Sequence, residues 1–345
     1  MKKILLTVSA LALFAVPAMA REEIRIVGSS TVYPFTTAVA ENFGKTSGMK
    51  TPVVESTGTG GGMKLFCAGV GESHPDFTNA SRRMKKSEFE DCAKNGVTDI
   101  VEIKIGFDGL TLAASKDAPE IKLTKQQIFM ALARQVPDKD GKLVDNPYKM
   151  WSDIDASLPA EKIEVLGPPP TSGTRDSFVE LALEVGASKF ESLAELKKSD
   201  AKAYEAVWKS VREDGAYVEA GENDNLIVQK LQANPAALGI FGFSFLEENA
   251  STIKGLEIDG VGPSYETVAS GDYKLARPLY VYAKKQHVGT VPGMAEFVAE
   301  YVSEKAIGED GYLSDKGLIT LPGDAAETSR AMALALDVLT VEGLK

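Results

Sequence analysis

Three short turns of hydroxyl residues and glycine each follow a β-like apolar run and open a helix. They are Gly28-Ser29-Ser30-Thr31, Thr57-Gly58-Thr59-Gly60-Gly61-Gly62 and Thr171-Ser172-Gly173-Thr174. The chemistry this composition suits is anion binding. The first turn of a helix has unpaired N–H donors and carries about half a positive charge. Glycine lets an oxyanion come close to the backbone, and three in a row cost stability unless something must approach them. Ser and Thr are also ordinary helix caps, so one such turn says little. Three in one chain point to a single polyoxyanion held from several sides.

Charged residues accompany the turns. Arg175 directly follows the third, and its guanidinium fork matches two oxyanion edges. In Ala80-Ser81-Arg82-Arg83, Ser81 and Arg82 are the pair expected to face inward, with Arg83 at the surface. Asp108, within Gly-Phe-Asp-Gly, is read as a turn residue. It would either orient an arginine or accept a proton from the ligand, although turn chemistry alone also explains it. Asp176 reads as a first-turn helix acid. The glycine turn is not a nucleotide P-loop, because Lys64 is followed by Leu65. With only His74 and His287, two cysteines and no Gly-x-Ser-x-Gly, no metal, cofactor or catalytic residue is expected.

Positioning these turns requires an alternation of strand and helix. After Pro34, Phe35, Val39 and Phe43 share one helical face. Strand Pro52–Glu55, the glycine turn and a short helix with Leu65 and Phe66 follow, and Lys86–Cys92 is helical. VEIKIGFDGLTLAAS alternates in strand fashion with a break at Asp108-Gly109. Further on come a helix over Leu123–Ala133, a turn-rich loop over Pro137–Pro147 and the strand KIEVLG. After the third turn, a helix shows Phe178, Leu181, Ala182 and Val185 on one face. Residues 188–214 form a charged, solvated helical excursion, and LGIFGFSFL is a buried strand broken by glycines. ARPLYVYAKK is a strand whose Pro278 marks an edge or an entry point. Met294, Phe297, Val298 and Tyr301 line a helix, and the last helix spans about Ala325 to Leu339. The order predicts an α/β fold with a second unit inserted into the first.

Met1 to Ala20 has the basic start, apolar run and Ala-x-Ala ending of a signal peptide, so export to a periplasm is expected. Of 38 basic residues, Lys2 and Lys3 leave with it, so 36 remain against 49 acidic ones, a formal charge of −13. Nucleic acid and anionic membranes are thereby disfavoured as partners. The remaining length, about 325 residues, suggests two domains. For Cys67 and Cys92 an oxidising compartment favours a disulfide, with two free thiols as the alternative.

At these residues the chain resembles the periplasmic phosphate-binding proteins of phosphate-specific ABC transporters. GSSTVYPF, STGTGGGMKLFC, DFTNASRRM, IGFDGL and PPPTSGTRDSF carry the resemblance in that order, with PAALGIFGFSFL as a weaker match. It implies a two-lobed class II periplasmic-binding-protein fold, each lobe a mixed sheet flanked by helices. Lobe 1 would comprise 21–113 plus 277–345, and lobe 2 would be 114–276. The resemblance further implies inorganic phosphate in the interlobe cleft, delivery to the transmembrane subunits of an ABC permease, and a monomer. Family ligand positions fall on Ser30, Thr31, Thr59, Ser172, Gly173 and Thr174. Two departures stand out. Arg82 occupies the place of an aspartate that accepts the phosphate's proton, and an arginine before Ser-Gly-Thr is replaced by the proline run, with Arg175 after the motif. Binding of sulfate or molybdate is the alternative within this class, and a secreted phosphatase is a more distant one.

Overall fold

The computed structural model describes residues 21–170, 172–221 and 224–344. The expected signal peptide and its cleavage after Ala20 lie outside the described residues. Strand β1 (Arg25–Gly28) pairs in parallel with β2 (Val53–Ser56) on one side and β3 (Phe77–Ala80) on the other. Helix α1 (Tyr33–Thr46) has proline in its first turn, where the missing N–H costs nothing, and buries Phe35, Val39 and Phe43. Helix α2 (Thr59–Phe66) is followed by Cys67, which is disulfide-bonded to Cys92 on α3 (Lys86–Lys94).

Strand β4 runs unbroken over 16 residues, Ile100–Ser115, and joins the two halves of the molecule. The expected break at Asp108-Gly109 is therefore not a turn. Both residues lie in the ladder opposite Arg277 and Ala276, and Gly109 leaves the space that the Ile319 side chain fills. Beyond it come α4 (Lys125–Leu132), β5 (Val165–Gly167), α5 (Gly173–Phe178), β6 (Tyr217–Glu219), β7 (Leu238–Gly242), β8 (Ile253–Gly255) and β9 (Ala276–Lys284). One sheet of nine strands results, in the order β2-β1-β3-β9-β4-β7-β5-β6, with β8 also on β4. Strand β9 is central from Tyr280 onward, between β3 and β4. Pro278 is tolerated because it lies before the β3 pairing begins, so Pro278 marks the entry and not an edge.

Two main cores form on this shared sheet. The first gathers Ile26, Phe43, Phe77, Ile103, Ile105, Val281 and Phe297. The second begins at Phe107 and includes Leu112, Phe129, Val165, Phe178, Ile240 and Tyr273, with Ile319 and Leu321 returning to it. Each large side chain so buried contributes about 1.5–3 kcal/mol. The division falls at Gly106, whose φ of +152° and tight approach to the Ile319 carbonyl (2.6 Å from a hypothetical Cβ) exclude other residues. A bulge in the β4–β9 ladder marks the same point, where Leu279 faces Gly106 and Tyr280 faces Lys104.

Several local expectations are corrected. The loop at 137–147 is partly a hairpin, Gln135–Pro137 with Leu143–Asp145. LGIFGFSFL is a strand through Gly242 and then a helix, Phe243–Glu248. The charged excursion is helical, but Tyr204, Val207 and Trp208 pack inward, so it is not wholly solvated. After α5 the chain continues as a π-helix, Val179–Glu184. The wider turn rotates the buried face, which becomes Phe178, Val179, Ala182 and Leu183, while Leu181 and Val185 are only half-buried. The last helix is Gly323–Leu334.

Candidate anion-binding site

The turns sit at the carboxyl ends of the parallel strands, where open α/β sheets leave a crevice. Ser29–Thr31 leaves β1 and enters α1. Its register is held by Ser29 N–H donating to the Asn79 carbonyl of β3 at 3.0 Å and Val32 N–H donating to Ser29 Oγ at 3.4 Å. The glycine turn lies against it. A Cβ on Gly62 would strike the backbone of Gly28 and stand 2.7 Å from Thr78 Oγ1, so this glycine is needed for packing. Gly60 meets nothing within 4 Å and faces open space. Thr59 Oγ1 accepts the Ser81 N–H at 3.1 Å and shares a hydroxyl hydrogen bond with Ser81 Oγ at 3.0 Å, which joins two expected site residues.

The third turn comes from the other lobe and faces the first. A Cβ on Gly173 would lie 3.5 Å from the Ser30 carbonyl oxygen. Ser172 caps α5 by accepting the Thr174 N–H at 3.2 Å. Across the cleft, Ser30 Oγ donates to Asp176 Oδ2 at 3.2 Å, and Thr31 Oγ1 is 3.2 Å from Ser177 Oγ. The structure thus brings Ser30, Thr31, Ser172, Gly173 and Thr174 into one interlobe region, with Thr59 and Ser81 on the neighbouring turn.

The expected arginines are held within their own lobes. Arg82 makes a two-pronged pair with Glu88, at 2.9 and 2.7 Å. The Glu88 hydrogen bond holds the arginine's pKa above its ordinary value. Burial works against ionisation of Glu88, but Arg82 and the Lys85 N–H prevail and its pKa is lowered. Arg83 pairs with Glu102 at 2.9 Å, as a surface arginine would. Arg175 lies with its guanidinium carbon 4.2 Å above the Tyr217 ring and donates to the Pro168 carbonyl at 3.4 Å. Burial pushes the Tyr217 phenol up to about 12.

The arginine beside Asp108 is instead Arg277, at the start of β9. Its Nε lies 3.6 Å from Asp108 Oδ2, which also accepts the Ser177 hydroxyl at 2.9 Å. Burial raises the Asp108 pKa, against the opposing pull of Arg277 and Ser177. Arg277 NH2 donates to Thr31 Oγ1 at 2.8 Å and to Ser177 Oγ at 2.7 Å, and NH1 reaches Glu180 Oε2 at 2.5 Å. Arg277, Ser177 and Glu180 were not among the residues that sequence reasoning singled out. The available signal was ARPLYVYAKK read as the strand partner of IGFDGL, which sets Arg277 opposite Asp108. Among the described residues, no group of three histidine, cysteine or acidic side chains could hold a metal ion.

Two α/β lobes on a shared sheet, with helix-opening turns meeting face to face between them, define a bilobal ligand-binding protein of the periplasmic-binding type. A family model described as a PBP superfamily domain matches residues 15–305. Protein SphX of Synechococcus elongatus is 32% identical over 305 residues, covering 86% of this chain and 77% of that protein. The phosphate-binding protein PstS of Staphylococcus haemolyticus is 30% identical over 284 residues, covering 81% and 76%. The crystal structure of a possible phosphate-binding protein from Planctomyces limnophilus superposes with a TM-score of 0.71 at 30% identity, over 91% of this chain and 98% of that one. An ABC-type phosphate transport receptor from Vibrio cholerae shares the fold at a TM-score of 0.57 and 19% identity, over 86% of this chain and 100% of that one. The chain belongs to the PBP superfamily and, within it, to the family of PstS phosphate-binding proteins.

Proposed function

We propose that this protein binds inorganic phosphate between its lobes and delivers it unchanged to the transmembrane subunits of an ABC permease. The observation that carries the reading is the facing of Ser29–Thr31 by Ser172–Thr174 across the cleft, with Gly173 against Ser30. Backbone N–H groups and hydroxyls from both lobes can then surround one tetrahedral guest. Ser30, Thr31, Thr59, Ser81, Ser172, Gly173 and Thr174 are the proposed contacts. Arg82 and Arg175 act from behind them as fixed positive charge, and Asp108 orients a neighbouring arginine. Charge-assisted hydrogen bonds contribute about 1.5–3 kcal/mol each. Enough of them, less the costs of closure, leave about 8 kcal/mol, or micromolar binding and tighter.

The lobes expected as 21–113 plus 277–345 and 114–276 are assigned here with the first crossing moved back to Gly106, a shift supported by the packing of Phe107, Leu110 and Leu112 in the second core, and bending is centred on the bulge there. Hinge closure about such a point commits the ligand. Family membership and the leader-like residues 1–20 support a periplasmic location, and the net negative charge supports a partner other than nucleic acid. A monomer suffices for this cycle. Isothermal titration of the mature protein tests the proposal. Phosphate, and arsenate like it, should bind at micromolar concentration or below, and sulfate should compete poorly. Absence of heat and of thermal stabilisation with millimolar phosphate would refute it.

A further inference from the structure

We propose that Arg277 is the cation that holds the bound anion and that Glu180 is its internal stand-in, released when phosphate arrives. The inference rests on the phosphate reading and deepens it. Arg277 sits on β9, one of the strands that pass between the cores, and it touches the first turn and the helix α5 that the third turn opens. Its NH2 group binds Thr31 on one side and Ser177 on the other, at 2.8 and 2.7 Å. Because a guanidinium only donates, both hydroxyl oxygens must accept from it, which turns their protons elsewhere. The Ser177 proton goes to Asp108 at 2.9 Å. The Thr31 proton is left for Ser177 or for an oxyanion in the cleft.

The charge balance around Arg277 shows which partner is replaceable. One guanidinium, 11% exposed, faces two carboxylates: Asp108 at 16% exposure and Glu180 at 43%. Asp108 is in the sheet and cannot leave without stranding a buried charge. Glu180 is on a helix surface and can swing into water at little cost. Arg277 Nε is buried and has only the long 3.6 Å contact with Asp108 Oδ2, so Asp108 meets the guanidinium through no close hydrogen bond of its own. A second carboxylate behaves alike. Asp176, one turn before Glu180, accepts from Ser30 across the cleft at 3.2 Å. Carboxylates of the second lobe thus occupy first-lobe donors and the hinge-strand arginine where the tetrahedral anion would otherwise be held. Phosphate, with several oxyanion edges, displaces Glu180 from NH1 and keeps the Thr31 and Ser177 hydroxyls as oriented by NH2.

Calorimetric titration with inorganic phosphate distinguishes this from a merely structural latch. The mature wild-type protein would be compared with Arg277→Lys, Arg277→Gln, Glu180→Gln and Glu180→Asp, each with its thermal midpoint measured. Losing the fork should weaken phosphate binding about tenfold in Arg277→Lys, and losing the charge about a hundredfold in Arg277→Gln. Glu180→Gln should tighten it about tenfold, because the competitor is gone, and Glu180→Asp should return it toward wild type. Arg277→Lys and Glu180→Gln carry the test even if Arg277→Gln fails to fold. Unweakened binding by Arg277→Lys, or binding by Glu180→Gln no tighter than wild type, would overturn the inference while leaving phosphate binding itself intact. A wild-type protein that ignores phosphate would instead remove the underlying reading.

Discussion

Strands β1, β3 and β9 carry a charge cluster at each end, and the two clusters are built differently. At the amino ends of β1 and β3, Asp76 is fully buried. Its oxygens accept from Arg21 at 2.5 Å, from the Arg25 N–H at 2.8 Å and from His287 at 2.7 Å. His287 in turn accepts the Gly71 N–H at Nε2, which fixes the Nδ1–H tautomer facing Asp76. Lys284, also fully buried, donates to the Gly69 carbonyl at 2.7 Å and lies over Phe66. Every one of these partners belongs to the first lobe. At the carboxyl ends, Arg277 draws its partners from both lobes, and one of them is half in water. A cluster closed within one lobe stabilises a fold. A cluster divided between lobes depends on their relative position, so it can respond to a ligand.

The largest expected effect separates these roles. Asp76→Asn should cost about 3–5 kcal/mol in denaturant unfolding, because buried cations lose their counter-charge, while the phosphate Kd of the folded fraction stays unchanged. A shift in Kd comparable to that of the Arg277 variants would erase the distinction. Replacing Cys67 and Cys92 together by serine should cost about 3 kcal/mol, again without a change in affinity. The 25-residue loop this bond closes carries two expected site residues, Ser81 and Arg82, and both stay anchored without it, Ser81 on Thr59 and Arg82 on Glu88.

Thr59→Ala should do the reverse. It removes one neutral hydrogen-bond partner of Ser81, worth about 1 kcal/mol of stability, yet it should weaken phosphate binding about tenfold in titration. A loss of stability with unaltered binding would move the glycine turn out of the site.

Burial lowers the pKa of Lys284 to about 8, with Asp76 opposing the shift and Arg21 adding to it. The folded state then holds fewer protons than the unfolded chain between that value and the ordinary 10.5. Stability therefore gains a favourable contribution as pH rises through this window and loses it as pH falls back through the folded value. Lys284→Met should flatten the rise in urea midpoints between pH 8 and 10, and an unchanged slope would count against the buried ammonium. The smallest effect belongs to the half-exposed Arg82–Glu88 pair, whose double-mutant coupling should lie at about 0.2–1 kcal/mol.

What was legible in the sequence was what is local. The three turns, α1 with its buried face and the α/β rhythm depend on neighbours within a few residues, and each is present; the disulfide spans 25 residues but was legible because the sequence holds two cysteines. What was not legible depends on partners far along the chain. Asp108 read as a turn because Asp-Gly is a turn dipeptide, but pairing with β9 overrides that preference and keeps β4 a continuous strand. Arg277 is one charge in an apolar strand, and only the register against β4 reveals it. Arg82 and Arg175 read as anion contacts because of their place after the turns. Glu88 and Tyr217, which hold them, come from other elements. The π-helix after α5 shifted a buried face that a regular helical period would have put elsewhere.

A crystal structure of residues 21–345 grown with phosphate is the decisive experiment. One tetrahedral anion should lie within hydrogen-bond distance of Ser30, Thr59 and Thr174, with Glu180 turned away from Arg277. A phosphate bound on the outer surface of either lobe, or an empty cleft at saturating phosphate, would contradict it.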